Sequence, residues 1–574
     1  MWWILKDKLL LEKINLVFKP KTLECTLSNA FHEKTTRKMY DYIIIGAGSA
    51  GCVLAHRLSE DPSVSVLLVE AGGKDTKMEI HIPAAYGQLN YSNVDWGYFT
   101  EPQTHVDGRR MYQPRGKTLG GSSSTNAMAY VRGHRDDYDM WAKMGATGWH
   151  YDAVLPYFKK SEHNEQFSDA FHGQGGLLNV TAATRYRTEL AEAFIAACVE
   201  KGIQKTADYN GAQQEGVGHF QFTIKDGKRY STAAAFLKPV LTRKNLTVFT
   251  NTTVKKVLIK NDRAVGVEIL RGGKSENISV KKEVILSAGA FGSPQILMLS
   301  GVGSKAELTQ HGIELKRELE GVGKNLHDHL MAGMSCLTSS AQTMNNALKP
   351  LNQIRHLINY ALSKTGPLTI SPLETNAFIK SDPSVTQPDL QLFFVPFHMG
   401  NEEDLAKGTE FYKPDTYPKT NGFTSLPVLL QPESRGFVGL RSADPTAAPI
   451  IQPNYMMAEN DRTLLVKGFK IVKDILMANA FNSLRTNFNF PQKSDSDEAI
   501  LAHIRRTVEC VYHPVGTCKM GQDELSVVDE NLRVRGIEGL RVVDASVMPR
   551  IVSGNTNAAC IMIGEKGADL IKGK

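Results

Sequence analysis

Two glycine-rich stretches, a few imidazoles and a few carboxylates are the parts of this chain that can do or support chemistry. Gly46-Ala47-Gly48-Ser49-Ala50-Gly51 has the spacing G-x-G-x-x-G. In such a run the first glycine permits a tight turn, the second lets the backbone approach a pyrophosphate, and the third allows a helix to pack closely on a strand. Ser49 and Ala50 would open that helix, whose free N–H groups and dipole favour an anion. Glu70 follows Gly51 by about 20 residues, where a carboxylate accepts from a ribose hydroxyl. The pattern predicts a dinucleotide without a 2′-phosphate and does not choose between NAD and FAD. A second stretch, Arg115–Asn126, offers bare backbone N–H groups and hydroxyls that can wrap an anion or a ring edge. It lacks P-loop spacing. His327-Asp328-His329 presents two imidazoles, but no carboxylate–histidine cluster with metal spacing accompanies them, so no metal site is expected.

The elements that must hold these groups can be read from hydrophobic pattern. Tyr40–Leu58 reads as strand, glycine turn and helix, with Ile43, Ile44 and Ile45 as a buried parallel strand. Val64–Val69 is the next strand and ends at Glu70, which completes a βαβ unit. Tyr151–Lys160 and Thr188–Lys201 read as helices. Leu246–Ile259, Ala264–Leu270 and Val284–Ser287 read as strands, followed by a helix at Pro294–Leu299. From 340 to 500, β-type stretches (Leu390–Val395, Gly436–Leu440), the polar loop Asn401–Thr420 and a helix at Arg462–Ala478 alternate without βαβ order. That suggests an α+β unit. The tail returns to a strand at Leu540–Val543 and a helix at Asn557–Ile571. Dinucleotide-type pieces thus occur early, in the middle and late. The fold class expected is α/β, with a cofactor domain assembled from separated segments.

Composition excludes several classes. The 574 residues carry a formal charge of +7, with 42% hydrophobic and 22% charged residues. There is no run of five like charges, so a nucleic-acid-binding stripe is not expected. Seven cysteines without a C-x-x-C pair fit a reducing compartment, the cytoplasm, rather than a disulfide framework. No apolar stretch is long enough to span a bilayer. Residues 1–38 form a leader with Lys6, Asp7, Lys8, Glu12 and Lys13 among its apolar residues, which breaks a signal-peptide core. It could lie on a membrane as an amphipathic helix, and it carries more than half of the net charge. Met39 is an alternative start.

The longer motifs carry a family resemblance. Gly116–Asn126 resembles the first signature of the glucose–methanol–choline (GMC) family of FAD oxidoreductases, with Thr125 where an aliphatic residue is usual. Gly289–Gly303 is similar to the second signature throughout. Asn325-Leu326-His327-Asp328-His329 and Val542-Val543-Asp544-Ala545-Ser546 match further segments. The resemblance covers 39–574 and implies FAD rather than NAD. It implies a Rossmann-like FAD-binding domain from 39–160, 225–330 and 505–574, interleaved with an α+β substrate domain from 161–224 and 331–504. The cofactor contacts it implies are Gly46, Gly48, Ser49, Ala50, Gly51, Glu70, Arg115, Leu119, Gly120, Gly121, Ser122, Asn126, Met128, Val254, Ala288, Asp544 and Ala545.

Tyr512–Gly521 resembles the family's catalytic-histidine segment, and Ser553–Asn557 the segment that supplies its partner. The resemblance therefore implies His513 and Asn557 as catalytic residues. Hydride loss from an alcohol carbon requires loss of the hydroxyl proton, which an imidazole can accept. An amide N–H can hold the oxygen. Glu374 resembles a glutamate at the substrate cavity of choline-type and aliphatic-alcohol enzymes, where Phe393, Phe394 or Phe397 could add cation–π attraction. Gln113 stands where some choline-oxidising relatives tether FAD to a histidine, so non-covalent FAD is expected. The expected reaction is oxidation of a primary alcohol to an aldehyde by hydride transfer to flavin N5, with electrons passed to a quinone or another carrier. The alternatives are choline oxidation to betaine aldehyde, an oxygen-using oxidase, and a lyase or silent relative.

Overall fold

The computed structural model describes residues 39–182, 184–400, 404, 417–489 and 496–573. The leader, Cys25 and most of Asn401–Thr420 lie outside the described residues.

The chain builds two large sheets. The first has seven strands. Met39–Ile45 pairs in parallel with Val66–Val69 on one side and with the end of Lys274–Leu286 on the other. Leu246–Phe249 extends the parallel set beyond Val66–Val69, and Leu540–Val542 extends it beyond Leu286. These strands are buried on both faces, which is why they read as unbroken apolar runs. Helices Ser49–Leu58 and Asn557–Lys572 cover this sheet and pack on each other. Gly564 permits that contact, since a Cβ there would lie 3.0 Å from the Ala50 Cα. The first half of Lys274–Leu286 turns outward and pairs antiparallel with Arg263–Arg271, which pairs with Thr252–Lys260. Gly272 and Gly273, both at positive φ, make the turn between Arg263–Arg271 and Lys274–Leu286. The sequence reading caught only the last residues of this 13-residue strand, because its first half is polar and exposed.

The second sheet has eight antiparallel strands, six in the order Arg485–Asn489, Met334–Thr338, Gly422–Leu429, Leu390–Val395, Thr375–Ile379, Gly216–His219, while Leu330–Met331 pairs with the end of Gly422–Leu429 and with Glu509–Cys510. Glu509–Cys510 falls within the 505–574 segment assigned to the cofactor domain from sequence, yet it pairs here. Side chains alternate between faces, as a strand requires. Leu392 and Phe394 join a core with helices Glu189–Glu200 and Glu459–Leu476. Phe393, Val395 and Leu426 face the other way, into a cavity between the two sheets.

Candidate active site

A cavity of about 490 Å³ runs between the sheets. One wall is the glycine turn. Gly46 has φ +97, and a Cβ there would lie 2.5 Å from the Ser287 carbonyl oxygen. A Cβ on Gly51 would lie 1.9 Å from the Gly46 carbonyl oxygen. A Cβ on Gly48 would have only the Ser287 carbonyl oxygen nearby, at 3.9 Å, so this backbone borders the cavity bare. Helix Ser49–Leu58 has no side-chain cap, which leaves its first N–H groups free toward the cavity. The first turn of helix Asn557–Lys572 also lines it, so two positive helix ends meet there. They are joined by a hydrogen bond of 2.6 Å from the Ser49 hydroxyl to Asn557 Oδ1.

Glu70 is buried at the end of its strand and lines the cavity. Its carboxylate accepts from the Ala47 N–H at 2.9 Å and the Gly72 N–H at 2.8 Å. Burial nevertheless pushes its pKa up to about 7. Each oxygen keeps a second lone pair for a ribose hydroxyl. Asp544 accepts from the Gly289 N–H and the Ser293 hydroxyl, and so ties the second signature to the tail. Of the expected cofactor residues, Gly46, Gly48, Ser49, Ala50, Glu70, Arg115, Gly121, Ser122, Asn126, Met128, Val254, Ala288, Asp544 and Ala545 line the cavity. Gly51, Leu119 and Gly120 lie behind it and shape the turns, with the Gly120 N–H donating to the Ala47 carbonyl. A bare glycine turn, two helix ends and a buried ribose-type carboxylate together fit a dinucleotide such as FAD.

His513 faces the same cavity. Tyr512 before it sits at φ +64, an unusual conformation for a bulky residue. The Arg115 guanidinium donates to the Tyr512 carbonyl, and Asp328 accepts from the His513 N–H at 2.6 Å. A Tyr455 hydroxyl donates to the same Asp328, whose pKa burial raises to about 6. The ring of His513 is set by His329. His329 Nε2 lies 3.1 Å from the Leu430 carbonyl and must donate to it, which leaves His329 Nδ1 as an acceptor. His513 Nδ1, 3.0 Å from His329 Nδ1, is therefore the donor of that pair. His513 Nε2 is then the unprotonated, accepting nitrogen, which is the form a general base needs, and its lone pair accepts from the Asn555 amide. Burial, with His329 and Arg115 nearby, holds the His513 pKa well below the usual imidazole value, and burial brings His329 down to about 4.

Two expectations need correction. The amide beside His513 is Asn555, whose Nδ2 lies 3.2 Å from His513 Nε2. Asn557, the expected partner, bonds Ser49 at the glycine helix instead. The chain kinks at Gly554 (φ +145), where a Cβ would lie 2.3 Å from Val131 Cγ1, and helix starts at Asn557. That separates the two asparagines onto different tasks. Glu374 does not line the cavity. Its carboxylate accepts from the Thr188 N–H at 3.0 Å and the Thr188 hydroxyl at 2.9 Å, at the start of helix Glu189–Glu200. A carboxylate there is favoured by the helix dipole. His329 and Asp328 both support His513, a part that the sequence alone does not mark. The segment Asn325–His329 was visible as a motif, but its contact with His513 spans 184 residues.

The wall facing the glycine turn is apolar. Met331, Leu373, Phe393, Val395, Leu426 and Val511 form its core, and Tyr86, Phe397, Met399 and Tyr417 lie toward its edge. The only acidic residues lining the cavity, among the described residues, are Glu70, Asp95 and Asp544. Asp95 is bonded to the Tyr112 hydroxyl and the Arg115 N–H.

A cradle for FAD beside an unprotonated histidine defines an FAD-dependent oxidoreductase. Comparison with known proteins narrows this. The N-terminal domain of GMC oxidoreductases matches residues 40–331, and the C-terminal domain matches 432–564. The alcohol dehydrogenase [acceptor] of Pseudomonas putida is 43% identical over 93% of this chain and 96% of its own. The mitochondrial choline dehydrogenase of Homo sapiens is 42% identical over 94% and 91%. The crystal structure of pyridoxine 4-oxidase from Mesorbium loti superposes with a TM-score of 0.82 at 31% identity, over 92% and 98%. The chain belongs to the GMC oxidoreductase family, and its cofactor is FAD.

Proposed function

We propose that this chain oxidises a primary alcohol with an apolar substituent to the aldehyde and passes the electrons to a quinone-type acceptor. The observation that carries the substrate class is the apolar wall of Met331, Leu373, Phe393, Val395, Leu426 and Val511, with no carboxylate on it among the described residues. Bound FAD supplies the hydride acceptor. His513 Nε2 takes the hydroxyl proton, while the amide of Asn555, 3.2 Å away, donates to the same oxygen. His329 and Leu430 hold His513 in the tautomer that can do this. The apolar wall keeps water from the carbon that loses hydride. The high identity to the Pseudomonas putida alcohol dehydrogenase [acceptor] supports this reading.

FAD is held without a covalent bond. Gln113, at the tethering position, is buried, and its amide donates to the Tyr455 hydroxyl at 2.7 Å. An amide offers no nucleophile for a flavin bond. A second reading, choline, draws on the aromatic rings of Tyr86, Phe393, Phe397 and Tyr417, which line the cavity and could face a trimethylammonium group. Anaerobic mixing of the FAD-loaded enzyme with linear alcohols, benzyl alcohol and choline separates the two. Medium linear alcohols should bleach the flavin faster than choline. Bleaching by choline alone would overturn the apolar reading, and no bleaching by any alcohol would overturn the dehydrogenase. Replacing His513 with Ala should slow bleaching by about 10²–10⁴-fold.

A further inference from the structure

Helix Pro350–Ser363 begins two residues after Leu348, which lines this cavity, and presents apolar side chains to solvent. Leu351 is 82% exposed, Ile358 51% and Leu362 84%. Leu362 and Leu351 are the two most exposed large apolar side chains among the described residues. With Arg355 they fall at the spacing i, i+4, i+7 and i+11, a single stripe along the helix. Tyr360 alone on the helix is buried, so its attachment to the body is slight. Scattered apolar residues on a surface are ordinary, but three on one helix face, with a cation among them, mark an interaction site.

The stripe continues into the cavity rim. Leu348, just before the helix, is both exposed and part of the cavity lining, and Met344 before it lines the cavity too. The surroundings are cationic. From 340 to 373 the sequence holds Lys349, Arg355 and Lys364 and no Asp or Glu. The neighbouring hairpin touches this region through Gly227, which faces Lys364 and Thr369, and carries exposed Lys225 and Lys228 against one carboxylate, Asp226.

We infer that this helix docks the enzyme flat on an anionic phospholipid bilayer. An amphipathic helix with a basic surround binds there by burying its apolar face at the headgroup boundary while its cations meet anionic lipid. A second copy of this chain is a poorer occupant, because a two-fold contact would set Lys349, Arg355 and Lys364 against one another. The leader is likewise basic and does not complement the patch. Docking would open the cavity rim at the membrane surface, where an apolar alcohol partitions. That consequence rests on the proposed oxidation, whereas docking itself does not.

The test is sedimentation of the full FAD-loaded chain with vesicles of phosphatidylcholine alone and of phosphatidylcholine mixed with phosphatidylglycerol. The wild type should partition onto the mixed vesicles, and less so at high salt. The L351Q/I358Q/L362Q variant should lose about tenfold or more of that partition, while its flavin bleaches at the wild-type rate with a short dissolved alcohol. The K349Q/R355Q/K364Q variant should lose the preference for phosphatidylglycerol. The leader is the same in every variant, so it cannot produce these differences. Equal partition of wild type and L351Q/I358Q/L362Q overturns the proposal, as does failure of the wild type to bind either vesicle. A change in sedimenting mass without vesicles, with vesicle binding unaltered, would assign the stripe to a contact between copies instead. Failure of the oxidation reading would show in the bleaching assay and leave the vesicle result untouched.

Discussion

On one side of the cavity the wall is backbone: glycines at 46, 48 and 121, the first turns of two helices, and a glutamate held by N–H groups. On the facing side it is side chain: leucines, methionines, valines and phenylalanines projecting from an antiparallel sheet. The first wall has almost no freedom. A single added Cβ at Gly51 collides with the chain itself. The second can change shape by rotamer and residue exchange, since apolar swaps of similar volume disturb a core little. A cofactor common to many enzymes fits the rigid wall, and in the proposed oxidation the alcohol would meet the adaptable one.

The contrast can be broken most decisively at the glycines. Gly51→Ala should give protein without flavin and without a cooperative unfolding transition, because its Cβ has no room. Gly48→Ala should fold normally, since its Cβ would make only an ordinary contact with the Ser287 carbonyl oxygen at 3.9 Å, but should still lose bound FAD. Flavin absorbance per protein, beside a thermal melt, reads both. If Gly48→Ala retains its flavin, the bare-backbone account of that wall fails. The next largest effect concerns the two asparagines. Asn555→Ala should slow anaerobic flavin reduction by about 10²–10³-fold, the usual cost of one lost oxyanion donor. Asn557→Ala should leave that rate within about threefold while weakening retention of FAD, since its bond is to the glycine helix. A reversal of the two results would return Asn557 to the catalytic pair.

A smaller effect is the pH profile. The His513 pKa lies below the ordinary imidazole value, so the base stays unprotonated as pH falls through about 6.5. Stopped-flow reduction rates should stay level there and drop only at lower pH. An acid limb centred at or above about 6.5 would contradict the buried, neutral His329–His513 pair. The smallest effect lies outside the cavity. Burial raises the Glu374 pKa to about 7, above its unfolded value near 4.5. Between those values the unfolded chain releases this proton and the folded one keeps it, so wild-type stability falls as pH rises. Glu374→Gln should therefore gain stability over wild type progressively across that window and level off above about pH 7, with alcohol oxidation unchanged. A large loss of activity would restore Glu374 to the substrate side.

What the sequence disclosed follows the same division. Gly46, Gly51 and Glu70 were readable because backbone constraints act over short contiguous spans and leave fixed residue types. The parallel strands were readable because burial on both faces removes polar residues from them. Which of Phe393 and Phe394 faces the cavity was not readable, because that depends on a register shared by strands far apart in the chain. Asn555 and Asn557 could not be told apart, since the segment before the helix has no period and its course is set by Gly554 against Val131. Helix Pro350–Ser363 lies among mixed signals, where Pro350 in its first turn and apolar residues at 351, 354, 358 and 362 are its sign in the sequence.

The hydrogen bond between Ser49 and Asn557 joins residues 508 positions apart. Synthesis runs from the N-terminus, so the glycine helix leaves the ribosome long before the helix that covers it exists. During that interval Ala50 and Val53, which end up against Gly564, have no partner and present an apolar surface to chaperones or to other nascent chains. FAD cannot be enclosed until the first turn of helix Asn557–Lys572 has been made and docked. Cofactor loading should therefore wait for that helix, and a chain cut before Asn557 should yield an apoprotein with an exposed core rather than a slow enzyme.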